Sequence, residues 1–227
     1  MQEPRVSWHP RSIHAGCVRV STLMFAMALP SLAQAPSGTA SMPVIDMHFH
    51  TMWEGPRAAQ VRTGTPAMQT PEDMRRLNLA AMDRNHVVKA VASGDQLDFY
   101  GSEVGKRLLP GIILPPATTA QIGSLEPSPA VLRQLHKEGK LAVLAEFCPQ
   151  YLGLEPASPK LEPYWALAEE LDIPVGIHMG PGPRGAPYRG FPEYRMRLSN
   201  PLLLEDVLVR HPKLRVYICH AGWPFIN

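Results

Sequence analysis

The chain is poor in the features that mark several protein classes. It has three cysteines in 227 residues, too few for a disulfide scaffold. Lysine and arginine (22) nearly balance aspartate and glutamate (20), leaving a net charge of +2. There is no basic run, so nothing suggests a nucleic-acid or polyanion partner. No apolar stretch reaches the ~20 residues that span a bilayer. With 25 prolines and 17 glycines the chain is turn-rich but below the level that argues disorder. What remains is 45% hydrophobic and long enough for one sizeable core.

Residues 1–35 read as a secretory signal peptide rather than as fold. Arg5, Arg11 and Arg19 form a positive n-region, Val20 to Leu29 an apolar h-region, and Ala33-Gln34-Ala35 a small-residue cleavage site. Cys17 precedes the apolar run, so it is no lipoprotein cysteine. Export to a bacterial periplasm or the exterior is expected, with no stable membrane anchor after cleavage. Residues 36–42 read as a polar linker. Cys148 and Cys219 both sit in apolar strand-like runs and read as buried free thiols.

From Pro43 onward, strand and helix signals alternate. Strands are expected at 43–50, 86–93, 111–114, 141–147, 173–178 and 214–220. Helices are expected from Pro71, capped by Thr70, over 101–108, from Pro129, capped by Ser128, over 161–171, and from Asn200-Pro201 to Pro212. Inward faces are read at Met74, Leu77 and Ala81, at Val131, Leu132 and Leu135, and at Leu204, Val207 and Leu208. Apolar strands alternating with helices argue a parallel sheet covered by helices. A doubly wound sheet and a (β/α)8 barrel both fit.

The nine histidines divide into groups. His9 and His14 are in the leader, and His86, His136 and His211 read as surface or boundary residues. The other four end strands: His48 and His50 the first, His178 the fifth, His220 the sixth. Carboxyl ends of parallel strands form the functional face of such folds. Residues i and i+2 share a side of a strand, so Asp46, His48 and His50 project together, ~6–7 Å apart. Two imidazoles so placed can converge on one cation, and His178 and His220 can approach it from across the sheet. One such histidine is an ordinary polar residue; four at three strand ends argue a metal site.

These motifs resemble the amidohydrolase superfamily. Val44-Ile45-Asp46-Met47-His48-Phe49-His50, Val175-Gly176-Ile177-His178, Asn200-Pro201-Leu202 through His211-Pro212-Lys213-Leu214, and His220-Ala221-Gly222-Trp223 carry the likeness, which runs over roughly residues 43–227. They are most similar to its amidohydrolase-related branch, with aminocarboxymuconate-semialdehyde decarboxylase and dicarboxylate lactone hydrolases. The resemblance implies a distorted (β/α)8 TIM-like barrel and one divalent metal ion, usually Zn. It implies His48, His50 and His178 as metal ligands and His220 as the catalytic residue that orients or deprotonates water. Glu146, ending the fourth strand, reads as a polar mouth residue, or as the metal-bridging acid some members carry there. In the loop after the fifth strand, Arg184 is a candidate grip for a substrate carboxylate. Trp53 is a candidate aromatic wall, or packing.

About six βα units are legible before Asn227, whereas a barrel has eight strands in ~250 residues. Two strands, and with them the family's strand-8 aspartate, are not legible; no acidic residue follows Asp206. The barrel is therefore expected to be incomplete. The expected function is metal-dependent hydrolysis of an ester, lactone or amide of a carboxylated small molecule. Non-oxidative decarboxylation on the same scaffold and an inactive metal-binding remnant are the competing expectations. Self-association as a homo-oligomer is compatible with all three.

Overall fold

A computed structural model describes residues 42–53, 69–115, 124–188 and 190–222. The leader and all of the expected linker except Met42 lie outside the described residues. All described residues belong to one compact unit, Ser41–Asn227. No helix among them is long and apolar enough to cross a membrane.

Among the described residues, six strands alternate with four α-helices. The strands are β1 (Val44–His50), β2 (Val87–Ser93), β3 (Leu108–Pro110), β4 (Leu144–Phe147), β5 (Val175–His178) and β6 (Val216–Cys219). The helices are α1 (Pro71–Arg84), α2 (Pro129–Lys137), α3 (Glu162–Glu170) and α4 (Glu205–Arg210). All strand pairs are parallel, in the orders β1-β2-β3 and β4-β5-β6. Bridges Gly111↔Val143 and Leu114↔Phe147 join the two sets into one curved wall.

The third strand differs from expectation. It was expected over 111–114 but forms over Leu108–Pro110, and the segment then changes partner. Gly111 N–H still donates to Ala92 O on β2, while Leu114 N–H donates to Glu146 O on β4. An apolar run that serves two neighbours in turn cannot form a regular ladder with either. The turn expected as a helix over 101–108 is a 3-10 segment, Leu97–Glu103, kinked at Gly101.

Helix starts follow local chemistry. Thr70 Oγ1 accepts from Asp73 N–H, Pro71 occupies the first turn, and Arg84 sits in the last turn; such a cap contributes ~1 kcal/mol. Ser128 precedes α2 without making a side-chain cap. The last expected helix is split into a 3-10 turn, Pro201–Leu204, and the short α4. Val131 and Leu208, expected to face inward, are exposed.

Among the described residues, three apolar clusters hold the wall. One lies between β4–β6 and helices α2–α4 and is built on Phe147, Trp165, Ile177, Leu204 and Val207. Another packs α1 on β2 through Met74, Met82, Ala90 and Ala92. The third, Val91, Val143 and Ala145 with Tyr217 against them, joins side chains of β2, β4 and β6. Cys148 and Cys219 are buried and free, as expected. His211 is not a surface residue. It is buried, with Nδ1 3.0 Å from Glu169 Oε2 and Nε2 2.8 Å from Glu162 Oε1, and so ties α4 to α3.

Candidate metal centre

Parallel pairing places the carboxyl ends of β1, β4, β5 and β6 on one edge of the wall. His48 and His50 end β1, Glu146 lies in β4, His178 ends β5, and His220 follows β6. The rings form a continuous chain of contacts. His50 and His48 have centroids 4.5 Å apart, His48 and His220 4.8 Å, and His220 and His178 4.3 Å. The four histidines singled out by sequence are therefore brought together. His220 reaches the group from a left-handed backbone, φ 59°, a conformation that costs energy in a non-glycine residue and clusters at functional sites.

Glu146 sits among the four rings, its side chain only 8% exposed. Its Oε1 lies 2.6 Å from His178 Nδ1 and 3.0 Å from His220 Nε2. Its Oε2 lies 3.4 Å from His48 Nε2 and 3.7 Å from His50 Nε2. Burial alone would push this carboxyl up; the hydrogen bonds with His178, His220 and His48 outweigh it and hold the group far below the usual carboxylate range. The same bond to Glu146 raises the His48 imidazole against the opposing effect of burial. Glu146 is thus central to the site, not merely a polar residue at its mouth. The sequence signal was one acid inside an otherwise apolar strand.

The donors fit a divalent cation. Two sets share Glu146: His48, His50 and Glu146, and Glu146, His178 and His220, each with its ligand atoms within 4.8 Å of one another. His178 Nε2 is buried and has no hydrogen-bond partner among the described residues, a costly state for an imidazole nitrogen unless a ligand takes its lone pair. Imidazole and carboxylate together suit Zn and its neighbours.

Other expected residues fall elsewhere. Asp46 Oδ1 accepts from the His48 backbone N–H and does not join the ring cluster. Trp53 packs against the α1–β2 apolar cluster, and its backbone N–H donates to Asp95 Oδ1. Arg184 is exposed on the turn after β5. Sequence reasoning missed Tyr151, whose ring stands edge-on to His178 at 5.5 Å and packs on Phe191 and Tyr194. Gly182 makes room for it, since a Cβ there would lie 2.8 Å from Tyr151 Oη. No local pattern distinguishes Tyr151 from any other loop aromatic.

A family model described as amidohydrolase matches residues 45–227. Among solved structures, an uncharacterized TIM-barrel protein from Bordetella bronchiseptica is 15% identical, with a TM-score of 0.56 over 82% of this chain and 69% of that one. At that identity the likeness speaks for the barrel fold alone. An amidohydrolase II is 18% identical, with a TM-score of 0.48 over 78% of this chain and 67% of the other. A 4-oxalomesaconate hydratase from Rhodopseudomonas palustris is 15% identical, with a TM-score of 0.47 over 77% and 62%. No curated protein matches the chain.

Proposed function

The chain belongs to the amidohydrolase family, and from that premise we propose that it is a metal-dependent hydrolase acting on an ester, lactone or amide of a carboxylated small molecule. The observation that carries the reading is the convergence of four histidines on one buried carboxylate. In this proposal His48, His50 and His178, with Glu146, hold one divalent cation, and Zn suits the donor set best. Such a cation, when bound, polarises a carbonyl and brings the pKa of water towards ~7.

The chain's own residues have separable parts. Glu146 accepts from His178 Nδ1–H, which fixes that ring's tautomer and leaves Nε2 as the lone-pair nitrogen. His220 is the most open of the four rings, with 37% side-chain exposure. We assign it the proton transfer, taken and returned at Nε2. Glu146 Oε1, 3.0 Å away, steadies the charged form of that ring. Arg184 is assigned to the substrate carboxylate.

The test is to load the protein with zinc and measure acid release from a panel of carboxylated lactones and esters by pH-stat, with CO2 release from aromatic acids measured in parallel. Metal-dependent acid release is expected. CO2 release without hydrolysis would overturn the hydrolase reading in favour of a carboxy-lyase. Zinc binding with no turnover of either panel would overturn the enzyme reading.

A further inference from the structure

A cavity of about 450 Å³ is lined chiefly by the segments that follow β4 and β5. Tyr151 lines it and also meets His178 edge-on at 5.5 Å. One ring therefore separates the cavity from the candidate metal ligands. Leu152, Leu154 and Phe191 supply the apolar lining, and Phe191 is held against Tyr151 with centroids 4.7 Å apart. Lys160 and Glu193 are the charged residues lining it. Among the described residues neither is in an ion pair, and their opposite charges offset one another. Sites for small organic ligands have this make-up: apolar and aromatic walls with few polar groups, next to the residues that do chemistry.

We infer that this cavity seats a neutral apolar part of the substrate, an aryl ring or a short acyl chain, with the reacting bond lying past Tyr151 at the histidines. Three features support that occupant. The lining is mostly apolar and aromatic and carries no net charge, which favours a neutral occupant. The volume lies within the range of small-ligand pockets. The Tyr151 ring that lines the cavity also stands in edge contact with His178, so a molecule seated against it lies one residue away from the cluster. Naming the occupant a substrate group rests on the hydrolase reading; the existence of an apolar seat does not.

The two can be tested apart. Benzyl alcohol serves as the neutral apolar probe, followed by saturation-transfer NMR on the metal-free full chain. Wild type is expected to bind it in the millimolar range. Leu152→Trp, which fills the cavity, is expected to lose at least fivefold in affinity, and Phe191→Ala, which removes a wall, is expected to weaken binding too. No binding by wild type, or unchanged binding by both folded variants, overturns the seat. Should Leu152→Trp fail to fold, Phe191→Ala decides. On the zinc-loaded enzyme, Leu152→Trp is expected to raise KM for phenyl acetate by about tenfold while leaving methyl acetate unchanged. Equal effects on both esters overturn the substrate role. Binding lost in Leu152→Trp, with neither these esters nor the carboxylated lactones and esters turned over by wild type, keeps the seat and removes the hydrolase reading.

Discussion

Tyr217 Oη, on β6, donates a hydrogen bond of 2.9 Å to the main-chain carbonyl of Met47 on β1. The two strands share no ladder among the described residues. A side chain therefore links the first and last of the six, on the same strands that carry His48, His50 and, one residue beyond, His220. Burial pushes the Tyr217 phenol above its ordinary pKa, which keeps it a donor across the working pH range. Replacing Tyr217 by Phe is expected to cost about 1 kcal/mol in urea unfolding. An unchanged midpoint would mean that the bond contributes nothing to the fold.

Gly176, on β5, exists in that position because of the same ring. A Cβ there would lie 2.3 Å from Tyr217 Cζ, closer than side-chain atoms approach. Gly176→Ala is expected to destabilise by about 1–3 kcal/mol, the range for overpacking. Tyr217→Ala should relieve part of that loss, so the double variant is less destabilised than the sum of the singles. Simple additivity would show that the two positions do not compete for space.

Glu146→Gln tests the centre of the site. It keeps the side-chain shape and removes the charge that four imidazoles surround. Zinc affinity, read by competition with a chromogenic chelator, is expected to fall by about 10–100-fold. Unchanged affinity would leave Glu146 an ordinary buried acid.

His220→Asn separates catalysis from metal holding. The proposal expects kcat to fall by about 10²–10⁴-fold while bound zinc per chain, measured by atomic emission, stays the same. Loss of zinc in step with activity would make His220 a ligand instead.

Acid sensitivity should trace partly to Glu169. Its carboxylate accepts the Lys213 N–H at 2.8 Å and lies 3.0 Å from His211 Nδ1. The Lys213 bond, followed by His211, holds it below the usual glutamate range. A group lowered on folding contributes stability above its unfolded pKa of ~4.3 and loses it as pH falls through the lower folded value. Glu169→Gln should therefore unfold at lower urea than wild type at pH 6, with the gap narrowing by pH 3. A gap that is constant with pH would exclude the charge as the cause.

Much is legible in the sequence where the cause is local. Thr70 and Pro71 set the start of α1 within a few residues of chain, and the caps act there as read. The β-branched run before Ser93 and the apolar runs before Phe147 and His178 were strands in sequence and are strands in the fold. His48, His50, His178 and His220 were identifiable because parallel strands all end on one edge, so a residue's place at a strand end predicts its place in space. What sequence alone could not decide was partner choice. The segment 108–114 shifts from β2 to β4 midway, and its apolar content is the same whichever strand it meets. His211 looked like a boundary residue until α3 supplied two carboxylates from more than 40 positions away. Glu146 had a composition signal but no address; only the meeting of four strand ends put it among the histidines and lowered its pKa. Residue type and period follow from contacts a few residues apart, whereas burial, pKa and the company of a side chain depend on distant segments that only the folded chain brings together.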